Sequence, residues 1–341
     1  MTTSRIFRTR TPLRISFVGG GSDLPSFYCS RGGAVVSTSI DKYVEVTLEK
    51  AAARINVQLG ENEVSSHARV EEIENEVISS TLAYAQIREP FSLTVRSSVP
   101  PGSGLGSSSA LIVGLLAAAY ASRNISRDNY QLAQEASYIE LELLRSPIGR
   151  QDHYACALGG INHFRFGADG IAAERLSVPS ACLTTFREHL LLLFTGRTRS
   201  ANSILQSHTQ KFLGGDTRAF EMTAQIANLV PDFIHALVVG NMKEIGALLH
   251  TAWQLKRSFT NGVSNPHIDE LYVRALDCGA LGGKILGAGG GGYFLFLASP
   301  EAHPKIQAEL GLEAVSFNFE SYGCTLASAE DSDLYTKISS G

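Results

Sequence analysis

The chain has 341 residues, 44% of them apolar and 18% charged, with a formal net charge of −4. Such a length suits two ordinary domains or one large one, and the composition suits a folded globular protein rather than a disordered or fibrous one. An acidic balance argues against a nucleic-acid surface, which needs a basic stripe, so an anionic ligand must be met by local positive charge.

Met1-Thr2-Thr3-Ser4-Arg5 leads into no long apolar region, and no stretch approaches the roughly 18 uninterrupted apolar residues of a membrane span. The expectation is a cytoplasmic protein with no membrane and no nucleic-acid partner; a homodimer is compatible with the sequence. Cys29, Cys156, Cys182, Cys278 and Cys324 are scattered. Without a Cys-x-x-Cys pair, zinc and thioredoxin-like chemistry are disfavoured and reduced thiols expected.

In chain order, Ile6 to Phe17 reads as an opening strand pair broken at Pro12, ending at the turn Val18-Gly19-Gly20-Gly21-Ser22-Asp23. Residues 34–48 carry a strong strand pattern, and Phe91 to Val95 alternates with period two. That strand runs into Pro100-Pro101-Gly102-Ser103-Gly104-Leu105-Gly106-Ser107-Ser108-Ser109-Ala110, followed by an apolar helical run. A glycine-rich turn feeding a helix presents free N–H groups and the positive end of the helix dipole, a ready anion site.

Tyr130 to Leu144 is spaced as one helix, ended by Pro147 and Gly149. Residues 167–184 read as strand and loop, and the domain boundary is placed there, giving domains of 1–184 and 185–341. The second half opens with the apolar strand 189–194. Helices are expected over about 201–212, 217–238, 241–258 and 268–278. A third glycine cluster, Gly287 to Gly292, precedes the strand Tyr293 to Leu297. Irregular alternation of strands and helices suits an α+β fold better than a doubly wound one.

Gly287-x-Gly289-x-x-Gly292 fits the dinucleotide pattern, but a strand follows where that motif requires a helix. Walker A is absent because Gly283-Lys284 is followed by Ile285. Serine-hydrolase and zincin motifs are also missing.

Three motifs in order then carry a family resemblance: Pro12-x-Arg14 with Gly19, the Pro-x-Gly-x-Gly-Leu-Gly-Ser-Ser loop, and Lys284-Ile-Leu-Gly-Ala-Gly-Gly-Gly-Gly292. The whole chain resembles the GHMP small-molecule kinases. Two stretches, 12–23 and 253–258 with 265–272, are similar to one subgroup, the D-glycero-D-manno-heptose 7-phosphate 1-kinases.

The resemblance implies a two-domain fold, with an N-terminal ribosomal-protein-S5-like domain and a C-terminal ferredoxin-like domain. It implies ATP and Mg²⁺, with a sugar phosphate as acceptor. Residues 101–109 (Pro101, Gly102, Ser103, Gly104, Leu105, Gly106, Ser107, Ser108, Ser109) would hold the triphosphate. Ser108 and Glu140 would be metal ligands. The bland alternative for Ser108 is a helix cap, and Glu142 fits a solvated helix charge better than Glu140 does.

Asp152 would accept or orient the acceptor hydroxyl's proton while Arg14 stabilises developing charge. Gly20, Gly21 and Asp23 would meet the sugar, and Gly289, Gly290 and Gly291 would approach substrate. A substrate phosphate needs basic groups, for which Arg199, Lys256 and Arg257 are nominated ahead of Arg31 and Arg197. Adjacent helix positions face differently, so only one of Lys256 and Arg257 is expected at the ligand.

The expected reaction is phosphorylation of the anomeric hydroxyl of D-glycero-D-manno-heptose 7-phosphate, for the activated heptose of lipopolysaccharide or capsule. The alternatives are a kinase of free fucose or galactose, and an inactive sugar sensor on the same scaffold.

Overall fold

The computed structural model describes residues 6–198, 202–259 and 262–327. The chain opens with β1 (Ile6–Val18), α1 (Pro25–Arg31) and the long β2 (Gly33–Lys50). There follow β3 (Ile55–Leu59), β4 (Ser65–His67), α2 (Glu76–Tyr84), β5 (Phe91–Ser97), α3 (Ser107–Ser122), α4 (Asn129–Tyr138) and α5 (Gln151–Leu158). The hairpin β6 (Ile161–Gly167) and β7 (Gly170–Arg175) leads to α6 (Ser180–His189) and β8 (Leu190–Phe194). Four helices come next: α7 (Asn202–Leu213), α8 (Thr217–Val239), α9 (Met242–Phe259) and α10 (Pro266–Asp277). The last elements are β9 (Ala280–Ile285), β10 (Tyr293–Ala298), α11 (His303–Leu310), β11 (Glu313–Ala314) and β12 (Thr325–Ala327).

The larger sheet runs β12-β1-β2-β5-β3-β4, with β6 and β7 attached along the first half of β2. Among the described residues only β3 and β5 pair in parallel. Its core face is covered by α3, which is apolar nearly all round and is buried accordingly. In β1 the period of two separates roles. Leu13, Ile15 and Phe17 enter the core, each burial stabilising by about 1.5–3 kcal/mol. Arg14 and Ser16, on the opposite face, are equally buried but line a cavity.

The second sheet is antiparallel in the order β11-β8-β10-β9. With α7–α10 between its first two strands and α11 before its last, it is a βαββαβ unit of the ferredoxin-like kind. Its own core holds Trp253, Tyr272, Phe294 and Phe296, so the tryptophan of the 253–258 stretch is a packing residue. Among the described residues only α8 is long and apolar enough to cross a membrane, and its Val230, Phe233 and Leu237 are buried in the larger core.

Several sequence expectations are corrected. β1 is one strand rather than a pair; the register slips between Pro12 and Leu13, where a residue without an N–H is tolerated in a bulge. The 130–144 helix ends at Tyr138 and continues as a π turn over Ile139–Leu143. The stretch 167–184 is not strand and loop throughout: it holds β7 and then the start of α6, which runs through residue 184. Nor does everything beyond 184 stay with the second sheet, because β12 pairs with β1. The helices α1 and α2, which sequence reading missed, are short.

Candidate active site

The elements converge on a cavity of about 410 Å³. The first half contributes Arg14, Ser16, the Gly20–Asp23 turn, the glycine loop before α3, Glu140 and the Gly149–Asp152 segment; the second half contributes Leu205, His208, Lys256, Lys284, Gly287 and Ala288.

The loop is built by Gly102, Gly104 and Gly106, all with positive φ. Gly106 occupies the cap position of α3, and no side chain satisfies the helix start. The first N–H groups of α3 therefore remain available to an anion, with the helix dipole adding attraction. Gly102, Gly104, Gly106 and Ser107 to Ser109 line the cavity. Ser103 and Leu105 are fully buried and do not line it; Leu105 O instead accepts the Arg14 N–H at 3.0 Å.

Beyond Gly102, Ser107 and Ser108 the cavity adjoins a second one of about 780 Å³, lined by Pro101 and by apolar Val44, Leu59, Val95 and Leu111. No single motif announced this apolar pocket, since its walls come from the strands β2, β3 and β5, the helices α2 and α3 and the loops between them.

Ser108 is not the helix cap. Its Oγ donates to Glu140 Oε1 at 2.6 Å, while Ser109 Oγ and His153 Nε2 donate to Oε2 at 2.9 and 2.7 Å. The π turn aims Glu140 inward, buried, while Glu142 faces out with Arg150 at 3.7 Å. A π turn of this kind is a recurrent device at functional sites. The donors suit a hard divalent cation: one hydroxyl and one carboxylate at the mouth of an anion loop, with phosphate oxygens left to complete the shell. Among the described residues no cluster of three or more His, Cys, Asp or Glu offers an all-protein cage.

Arg14 and Asp152 form a bidentate pair, Nε to Oδ1 at 2.7 Å and Nη2 to Oδ2 at 2.6 Å. Arg14 Nη1 also donates to Gly104 O at 2.6 Å, tying the pair to the loop. Burial alone would weaken the guanidinium's hold on its proton, but the Asp152 charge and hydrogen bonds outweigh it, and the net shift is upward. Asp23 accepts N–H groups from Gly21 at 2.9 Å and Gln151 at 3.3 Å. Burial, then the nearby Asp152 charge, pushes its carboxyl above the usual range. Gly149 is a glycine because a Cβ there would lie 1.8 Å from Asp23 Oδ2.

From the second half, Lys256 donates to Gly287 O at 2.5 Å, and burial, followed by Arg14, pushes its ammonium down to about 8. Lys284 donates to Ser16 O at 3.0 Å and Phe17 O at 2.9 Å, joining the two sheets; burial lowers its pKa strongly. His208 is pushed down to about 3, first by burial and then by Lys256 and Lys211, so it is neutral.

Other nominated residues lie elsewhere. Arg257 turns to Asp269 at 2.8 Å, away from the cavity lining. Arg31 and Arg197 are exposed, and Arg199 lies outside the described residues. Gly289 to Gly291 do not line the cavity. A Cβ at Gly289 would meet Val263 O at 2.5 Å, and one at Gly291 would meet Arg197 O at 3.0 Å, so these glycines serve loop packing. The part of that loop reaching the site is Gly287–Ala288. Sequence reading missed Ser16, His208, Gln151 and Lys284 as lining residues. The signal for Ser16 was its strand parity with Arg14.

An uncapped helix start, a hydroxyl–carboxylate pair and an arginine-held aspartate around one cleft suit phosphoryl transfer. Residues 70–160 match the GHMP kinases N terminal domain, and residues 233–315 match the GHMP kinases C terminal domain. A D-glycero-alpha-D-manno-heptose 7-phosphate kinase from Campylobacter jejuni is 30% identical over 87% of this chain and 90% of its own. A bifunctional fucokinase/GDP-fucose pyrophosphorylase from Arabidopsis thaliana is 25% identical over 94% of this chain and 33% of its own. A crystal structure of a D-glycero-D-manno-heptose 1-phosphate kinase from Bacteroides thetaiotaomicron shares the fold, with a TM-score of 0.75 at 24% identity over 94% of this chain and 98% of that one. The chain belongs to the GHMP kinases, has their two-domain α+β fold, and is a sugar kinase, transferring a phosphoryl group to an alcohol.

Proposed function

We propose that the protein phosphorylates the anomeric hydroxyl of D-glycero-D-manno-heptose 7-phosphate with Mg·ATP, giving the 1,7-bisphosphate for activated heptose destined for lipopolysaccharide or capsule. The observation that carries the choice of a phosphorylated acceptor is the Lys256 ammonium. Of the basic residues nominated from sequence to hold a substrate phosphate, it alone among those described lines the cavity that also holds the Arg14–Asp152 pair. The 30% identity to a heptose 7-phosphate kinase supports the same acceptor.

In this reading the N–H groups at the start of α3 hold the triphosphate, and the adenine occupies the apolar pocket beyond Pro101. Ser108 and Glu140 would hold Mg²⁺, which supplies charge neutralisation on the phosphate oxygens. Arg14 fixes both oxygens of Asp152, which lines the cavity. As the acceptor oxygen bonds to the γ-phosphorus and the bond to ADP breaks, the hydroxyl proton passes to Asp152. Arg14, touching both Asp152 and the loop carbonyl of Gly104, offsets charge building between them.

A coupled ATP assay over sugar phosphates and free sugars tests the acceptor. Heptose 7-phosphate should give the highest kcat/KM; equal or greater activity on free fucose or galactose would replace this choice, a reading the fucokinase similarity favours.

A further inference from the structure

One wall of the cavity carries features that the phosphate loop and the Arg14–Asp152 pair do not use. Ser16 Oγ and Gln151 Oε1 are buried with no hydrogen-bond partner among the described residues, and both side chains line the cavity. Ser16 is 5% and Gln151 8% exposed. Unpartnered polar atoms at that depth destabilise a fold unless something else satisfies them.

Between them stands Gly20. A Cβ added at Gly20 would lie 3.5 Å from Ser16 Oγ and 3.6 Å from Gln151 Nε2, which is ordinary contact. Its neighbours are glycines for reasons internal to the fold: Gly19 would drive a Cβ to 1.9 Å from Ala34 O, and Gly21 has φ of +99°. Gly20 has neither a clash nor a left-handed backbone. Nothing in the packing requires glycine there; what its missing side chain provides is space in the cavity wall.

The groups around that space are held firmly. Lys284 anchors the carbonyls of Ser16 and Phe17, and the β1–β2 register slips between Ser16 and Val18, a bulge of the sort that re-aims side chains beside active sites. Gln151 opens α5, with its backbone N–H on Asp23.

We propose that Ser16 and Gln151 form a hydroxyl-recognition subsite across Gly20, receiving one hydroxyl-bearing carbon of a polyol acceptor. The hydroxyl donates to Gln151 Oε1 and accepts from Ser16 Oγ, and the glycine sets the bulk admitted. The inference rests on the sugar-kinase reading but not on which sugar is used.

The test measures acceptor KM, ATP KM and Tm for Ser16→Ala, Gln151→Leu and Gly20→Val, using heptose 7-phosphate or, if the wild type prefers another sugar in the panel, that sugar. Ser16→Ala and Gln151→Leu should each raise acceptor KM about 3- to 10-fold, with ATP KM within two-fold and Tm not lowered, since each removes an unpartnered polar group. Gly20→Val should raise acceptor KM further. Mono-deoxy acceptors supply the decisive reading. One deoxy position should cost wild type the same factor and cost Ser16→Ala nothing more. Unchanged acceptor KM in all three variants, or deoxy penalties identical in wild type and variants, would overturn the subsite. A preference for another sugar overturns only the heptose assignment, and the variants then decide the subsite on that sugar.

Discussion

The nucleotide end and the acceptor end of the cleft are made of different material. At the proposed nucleotide end an anion would be met by backbone, the uncapped start of α3 with its alternating glycines, all from the first half of the chain. The proposed acceptor end is lined instead by ionisable side chains, Arg14, Asp152, Asp23 and Lys256, drawn from both halves of the chain. Backbone donors carry no titrating charge, whereas a crowd of buried ionisable groups shifts its members' pKa values, as it does for Asp23 and Lys256. The acceptor end should therefore hold the pH dependence of the reaction, and the nucleotide end its metal dependence.

The sharpest division should come from Asp152→Asn. It should lower kcat by about 10²- to 10⁴-fold, while binding of a non-hydrolysable ATP analogue, followed by calorimetry, stays as in wild type. Turnover close to wild type would remove Asp152 from the proton transfer. Ser108→Ala addresses the other end and should cost roughly 10- to 100-fold in Mg²⁺ affinity, read from metal titrations of nucleotide binding, without altering acceptor KM.

Next in size is the pH effect. The Lys256 ammonium has its pKa depressed to about 8, so the cation is present below that value and lost as pH rises through it. Acceptor kcat/KM should fall about ten-fold per pH unit on the alkaline side, and Lys256→Arg, whose charge persists, should remove that limb. A limb that survives in Lys256→Arg would assign it to another group. The smallest effect on catalysis should come from Gly289→Ala. Its Cβ meets Val263 O at 2.5 Å on a backbone with φ of +102°, so stability should drop by about 2–3 kcal/mol in urea titrations while both KM values stay within two-fold.

That last case shows where sequence reading reaches its limit. The loop before α3 was legible because glycines at alternate positions followed by a helical run have few other uses. The run Gly287 to Gly292 looks equally committed, yet of its glycines Gly287 alone lines the cavity, and it does so by lying where a Cβ would be 2.6 Å from the Cα of Gly104. Whether a glycine faces ligand or a neighbouring backbone is decided by partners elsewhere in the chain, such as Gly104, Val263 and Arg197. Glu140 rather than Glu142 lines the cavity, but the π turn that aims it there has no sequence signature. Lys256 and Arg257 were separable only as a pair of which one could face inward; packing chose Lys256. The strand parity that places Arg14 also places Ser16, so that residue was within reach.

The short strand β12 has a consequence for how the protein is made. It pairs with β1 over Arg8–Arg10, and nearby Cys324 N–H bonds Ala157 O at 3.0 Å. Without it β1 is the outer edge of its sheet, with backbone groups open to another chain. During synthesis the first sheet must wait for more than three hundred residues to emerge before that edge closes. Such long-range closure slows folding and prolongs exposure of an aggregation-prone margin. A chain cut short just before Thr325 would carry every residue of the catalytic cleft and still leave that margin uncovered.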